Sequence, residues 1–169
     1  NHTRYHKNVC QQPSEDLLND IRHIDQRCSE YGILKPKTFC YPGYQYNEDS
    51  VQVVKNHGFT FARRGVAPEF EYDDHGGRGP AYDPKRHHPL LIPTTGASGP
   101  NWGWDDFLWA LDQAKNGEIC ILTFHGVPAL EHPWVNTSPE QFEKYMQYMK
   151  DNTFQVISLG ALAEFNDNL

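Results

Sequence analysis

Apolar positions recur at helical spacing in four stretches of the chain. From about Ser14 to Tyr31, Leu17, Ile21, Ile24, Cys28 and Tyr31 fall on one stripe. Ser14 is placed to cap, acids fill the first turn and Gly32 stands at the stop, which predicts a helix. A second helix is predicted over Glu48 to His57, capped by Asn47 and stopped by Gly58. A third runs from about Asp105 to Asn116 on the stripe Phe107, Leu108, Leu111 and Ala114, with Gly117 as its stop. Ser138-Pro139-Glu140-Gln141 opens a fourth in a capping-box pattern with Pro at the first position, and Phe142, Tyr145, Met146 and Met149 form its buried stripe. Leu159 to Phe165 reads as a short closing helix. Strands are predicted at Lys37–Tyr41, ended by Pro42-Gly43, at Phe59–Ala62, at Glu118–Phe124 and at Phe154–Ser158. Glu118–Phe124 is nearly continuous in apolar residues, as expected of a parallel strand buried on both faces. Residues 65 to 104 show almost no periodicity and are rich in Gly and Pro, with one apolar run at Leu90-Leu91-Ile92. Tyr72, His75, Tyr82, His87, His88, Trp102 and Trp104 argue against disorder there. The stretch reads as a pocket-covering loop or an ordered surface excursion.

Alternating helices and strands imply a parallel α/β sheet or barrel, in which chemistry sits at the carboxyl ends of the strands. His125 stands just past Glu118–Phe124, and Tyr41-Pro42-Gly43 closes the first predicted strand. At 169 residues the chain reads as one domain with room for a sizeable core. Its net charge of -7 disfavours nucleic acid or an anionic membrane as the main partner, and no apolar run approaches the roughly 20 residues that span a bilayer. The chain opens on Asn rather than Met and shows no signal peptide, so it reads as processed, engineered or a fragment. Of the four cysteines, Cys120 reads as a buried free thiol, and Cys10 with Cys28 could form a disulfide. No Cys-x-x-Cys pair points to a zinc knuckle or a redox site. Asn1-His2-Thr3 and Asn136-Thr137-Ser138 fit the glycosylation pattern.

The remaining chemistry lies at the start. His2 and His6 are four apart, so one helix-like turn puts both imidazoles on one side, two-thirds of a catalytic metal site. The alternative is a solvated terminus.

Four pieces in order, His2-Thr3-Arg4-Tyr5-His6, Phe39-Cys40-Tyr41-Pro42-Gly43, Phe61-Ala62-Arg63-Arg64-Gly65 and Leu122-Thr123-Phe124-His125, resemble the polysaccharide deacetylases of the NodB-homology group, carbohydrate esterase family four. The first looks like that family's His-(Ser/Thr)-x-x-His metal motif, the second like its groove motif and the last like its Leu-x-x-His motif. The resemblance implies a distorted parallel (β/α) barrel and metal-dependent hydrolysis of N-acetyl, or O-acetyl, groups on a polysaccharide or related glycan. It places the metal on His2 and His6, makes His125 the general acid, and assigns Leu122 to the acetyl pocket, Tyr41 to the groove and the Gly43 N–H to the oxyanion. Two imidazoles with a carboxylate suit zinc, and also cobalt, nickel or iron.

The family's Asp-Asp strand precedes the histidine pair, so the resemblance implies a barrel that is N-terminally incomplete. Asp73-Asp74 is the tempting substitute for its acids. Cys40 stands where many members carry a groove Arg; Arg63 or Arg64 supplies that charge, or both lie on solvated surface. Glu131-His132-Pro133-Trp134 could rim the pocket, with Trp134 a candidate sugar-stacking ring. His23 and His57 read as structural, and His87-His88 as surface. Two other functions remain open: a non-catalytic carbohydrate-binding or scaffold protein on the same fold, and a hydrolase of small cyclic amides or imides. The resemblance slightly favours the cell envelope or secretion over the cytoplasm.

Overall fold

The structure, a computed structural model, describes residues 1–71 and 77–166. Tyr72, Asp73, Asp74 and His75 of the predicted loop lie outside the described residues. The chain folds into two compact units. One comprises Asn1–Gly65, Arg86–Ile92 and the chain from Leu159, the other Val66–Lys85 and Pro93–Ser158.

In the first unit, helix α1 spans Ser14–Glu30, strand β1 Thr38–Cys40, helix α2 Glu48–His57 and strand β2 Phe61–Arg63. Asn47 accepts from the Ser50 N–H, and Ser50 returns the bond to the Asn47 N–H, so α2 starts where the sequence says. Gly58 takes the left-handed conformation at its end (φ 93°), and Gly32 does the same after α1 (φ 69°). The two strands run parallel in the register Thr38↔Phe61, Phe39↔Ala62 and Cys40↔Arg63. Beyond β2, Ile92 adds a parallel bridge to Arg63, with Ile92 N donating to Ala62 O and Arg64 N to Ile92 O, both 2.9 Å. On the opposite edge Asn1 N donates to Thr38 O (2.8 Å) and Cys40 N to Asn1 O (3.0 Å). The ladder therefore has four parallel lanes, Asn1, β1, β2 and Ile92, whose chains all leave at one edge. Leu17, Ile21, Phe39, Tyr41, Val54, Phe59 and Leu90 form the core beneath it.

In the second unit, strand β3 spans Gly96–Ala97, helix α3 Trp104–Asp112, strand β4 Leu122–Thr123 and helix α4 Pro139–Asp151. β3 and β4 pair in parallel. Phe107 of α3 and Tyr145 of α4 stack at 4.3 Å, and Trp102 meets Tyr145 edge-on at 5.6 Å. These rings with Ala110, Leu111 and Met149 are this unit's core. Arg78 pairs with Asp106, whose other oxygen accepts from the Gly103 N–H at the start of α3. A short 3-10 turn, Leu159–Leu162, and helix α5, Ala163–Asn166, return to the first unit.

The α/β class is as expected; a closed barrel is not formed by the strands of either unit among the described residues. Glu118–Phe124 is paired as a strand only over Leu122–Thr123, and only Thr123 of it is buried. Phe154–Ser158 pairs with nothing as a strand among the described residues, and Val156 is 66% exposed. Tyr31, predicted on the buried stripe of α1, is exposed. The third helix stops at Asp112, because Gln113 N and Ala114 N bond three residues back, to Ala110 O and Leu111 O. The featureless stretch 65–104 supplies one lane of the first ladder and one strand of the second unit. All four cysteines are free thiols, and burial pushes Cys120 up to about 12. No described helix is long and apolar enough to cross a membrane.

Candidate functional site

The carboxyl edge of the four-lane ladder gathers most of the first unit's candidate residues. After Asn1 the chain leaves the ladder because Thr3 turns left-handed (φ 63°), and His6 follows at φ 52°. Thr3 N donates to Asn1 Oδ1 (3.0 Å) and His6 N to Thr3 Oγ1 (3.2 Å), so side chains take bonds that a continuing strand would give to its neighbour. The next ladder acceptor on that edge, Cys40 O, is taken at 2.7 Å by His2 Nδ1. A carbonyl only accepts, so Nδ1 carries the proton and the neutral ring keeps its lone pair on Nε2. The His2 and His6 rings lie edge to face, 4.7 Å between centroids. His2 is exposed as a residue, yet partial desolvation of its ring pushes its pKa below the ordinary imidazole value; the Cys40 bond opposes this, and the nearby His6 and Arg63 charges add to it.

This donor set suits a divalent cation. Two imidazole nitrogens on one tetrahedral zinc sit about 3.3 Å apart, given Zn–N lengths near 2.0 Å, which rings under 5 Å apart can meet. One of the two is already fixed by a backbone carbonyl behind it, the usual outer support of a metal-binding His. Among the described residues no group of three or more His, Cys, Asp or Glu side chains is placed to hold a metal. Asp73 and Asp74, proposed to fill that gap, lie outside the described residues.

The other predicted residues separate into exposed and buried. Gly43 sits in the turn Pro42–Tyr44 with φ 57°, exposed, where an added Cβ would meet nothing within 4 Å. Tyr41 is fully buried, and its hydroxyl donates to Leu90 O (3.1 Å), so its side chain belongs to the core and not to a groove surface. Arg63 folds back over β1: Nη2 donates to Cys40 Sγ (2.8 Å), and the guanidinium lies 5.1 Å from the Tyr44 ring. Its charge thus reaches Cys40 on β1. Arg64 is only 3% exposed and donates to Leu91 O and Gly65 O, which removes it from the solvated surface and makes it a backbone clamp. Burial raises the Tyr44 phenol and the Cys40 thiol, each partly offset by Arg63, so both are protonated at neutral pH.

In the second unit, Leu122 is half-buried on β4 against that unit's aromatic core. His125 lies two residues past β4 and is exposed. Trp134 is 67% exposed, its ring edge-on to His132 at 5.1 Å. His88 Nδ1 accepts from Leu90 N and caps a turn. His57 pairs with Asp25 at 2.6 Å. Sequence reasoning passed over Asn1 except as a glycosylation pattern. Its amide donates to Ile21 O and Asp25 Oδ1 on α1, bonds that a glycan on that nitrogen would displace. No sequence signal marks that role, because it depends on the distant helix.

The mixed α/β chain thus presents paired imidazoles at the carboxyl edge of a parallel ladder. Residues 1–62 match the model of the polysaccharide deacetylase family. No curated protein and no solved structure matches the chain.

Proposed function

We propose that the chain carries part of the machinery of a metal-dependent deacetylase that removes N-acetyl, or O-acetyl, groups from a polysaccharide or related glycan. The observation that carries the reading is the His2/His6 pair, its first ring held by Cys40 O with Nε2 left for a ligand. His2 and His6 would hold the cation, zinc first and cobalt, nickel or iron as alternatives. When bound, such an ion supplies Lewis-acid polarisation of the acetyl carbonyl and lowers the pKa of a water.

The chain's own residues take the other parts. By the resemblance, the Gly43 N–H would donate to the carbonyl oxygen as negative charge gathers there. Arg63 would supply positive charge in the first unit; by the resemblance alone, Leu122 would take the acetyl methyl and Trp134 would offer a ring face to a sugar. Hydrolysis would add water to the carbonyl carbon with its proton passing to solvent, break the C–N bond and release acetate; by the resemblance alone, His125 would give the proton to the departing amine and regain one from solvent.

The test is acetate release from an acetylated chitin oligomer by the full-length protein, with metal content measured alongside. His2→Ala and His6→Ala should lose metal and activity together. His125→Ala should keep the metal and lose about 10²–10⁴ in kcat. Loss of the metal in His125→Ala would overturn its assignment. No acetate release by the wild type with any of the four cations would overturn the enzyme reading.

A further inference from the structure

A chain of hydrogen bonds runs from the end of α2, through α1, to the histidine turn, all within the first unit. His57, the last residue of α2, has a side chain 9% exposed, and its Nε2 meets Asp25 Oδ2 at 2.6 Å. Lys35 Nζ lies 3.6 Å from the same oxygen. The other carboxylate oxygen, Asp25 Oδ1, accepts from Asn1 Nδ2 at 3.2 Å, and the second hydrogen of that amide goes to Ile21 O at 3.1 Å. Asn1 Oδ1 then accepts from Thr3 N, and Thr3 Oγ1 from His6 N. The Asn1 side chain has no freedom left. Both its hydrogens face α1, and its oxygen holds the residue between the two histidines.

We infer that Asp25, acting through Asn1, is the positioning residue that fixes the turn carrying His2 and His6. A carboxylate suits the place because it must accept from two sides at once. One oxygen orients the Asn1 amide, and the other is held by His57 and Lys35, so the acceptor cannot rotate away. An amide flipped end for end would present its NH2 to Thr3 N and its oxygen to Asp25, two mismatches, so the carboxylate also fixes which way round Asn1 sits. Thr3 and His6 hold left-handed backbone that isolated L residues avoid, and the Thr3 N–H and Thr3 Oγ1 bonds are what hold them there. Asp25 and Asn1 are therefore support for the imidazoles from behind. The consequence for cation affinity rests on the metal reading above; the ordering of the turn does not.

The experiment compares wild type, Asp25→Ala, Asp25→Asn, Asn1→Ala and the Asp25→Ala/Asn1→Ala double variant in the full chain. The readouts are zinc affinity by calorimetry, amide exchange at Thr3 and His6 by NMR in the absence of metal, and melting by circular dichroism. Removing outer support of a metal-binding His costs about 10–100-fold in affinity. Asp25→Ala and Asn1→Ala should each lose at least about tenfold on that basis, with the double variant no weaker than the worse single one. Both should speed exchange at Thr3 and His6. Asp25→Asn keeps an acceptor for Asn1 and can donate to His57 in its other tautomer, so it should recover most of the loss. Asn1→Ala leaves the α1–α2 pair of Asp25 and His57 intact and keeps the test alive if Asp25→Ala does not fold. Unchanged exchange at Thr3 and His6 in Asn1→Ala would overturn the inference. Should the wild type bind no zinc while exchange still responds, the positioning role stands and the metal reading falls.

Discussion

Replacing Tyr41 by Phe separates a core residue from a groove residue at the position where the sequence suggested a groove. The Tyr41 side chain is fully buried, its ring 5.2 Å from Phe39 and 5.8 Å from Tyr46, and its hydroxyl ends on Leu90 O. The Phe variant keeps the ring contacts and removes one buried hydrogen bond. That bond contributes about 0.5–1.5 kcal/mol, and leaving the Leu90 carbonyl without it adds desolvation of about 1–3 kcal/mol if no water replaces it. The net loss should fall near 1–2 kcal/mol, or roughly 2–8 °C in melting temperature for a chain of this size. Tyr41→Ala, which also empties the ring's space, should lose about 3–5 kcal/mol. The assay is urea unfolding followed by circular dichroism, beside steady-state deacetylation of an acetylated chitin oligomer. Tyr41→Phe should unfold earlier at an unchanged urea slope while kcat and KM stay at wild-type values. A variant within about 0.5 kcal/mol of wild type, the range of an ordinary surface change, whose KM rises several-fold would refute the reasoning. The phenol would then face substrate.

Three further outcomes are expected. His2 should titrate below the ordinary imidazole value of 6.5, read from its Cε1–H shift by NMR. Because the folded pKa is the lower one, the unfolded chain takes up this proton first as pH falls; the His2 contribution to stability is complete above pH 6.5 and is lost below it. Titration at or above 6.5 would mean the ring is not desolvated as described. Gly96→Ala puts a Cβ 2.6 Å from Trp102, 3.1 Å from Leu122 and 3.2 Å from Ala110, and should cost about 1–3 kcal/mol by crowding. Gly32→Ala, with open space but φ 69°, should lose about 1–2 kcal/mol through backbone strain alone. Equal stability of Gly96→Ala and wild type in urea would show that the Trp102 ring is free to move.

Helices were legible because their signals are local. Asn47 and Ser50 cap α2 with each other, Ser138 accepts from the Gln141 N–H at the start of α4, and Gly58 turns the chain at the other end of α2. Strands were less so, because a strand is a relation between segments. Glu118–Phe124 has the composition of a buried strand, yet pairs as one only where Gly96-Ala97 reaches it. Gly96-Ala97 has no strand signal; its glycine is required by an indole six residues on. Arg63 and Arg64 read as alternatives for one groove charge or as solvated surface; alternation along the chain sends Arg63 over Cys40 and Arg64 into the carbonyls of Leu91 and Gly65. The histidine pair was visible as spacing. Its tautomer, set by Cys40 O, and its anchor on Asp25 were not, since both partners lie more than 20 residues away.

The left-handed backbone at Thr3 and His6 sets stability against the presence of the imidazoles. Each L residue held there costs about 1–2 kcal/mol that glycine would not. A laboratory selection for heat resistance alone would therefore be drawn toward His6→Gly, a single change that relaxes the loop and discards one imidazole of the pair. Thermostable variants of this chain need a screen that also reads the histidine pair; without it, the fastest route uphill in melting temperature runs through loss of the pair.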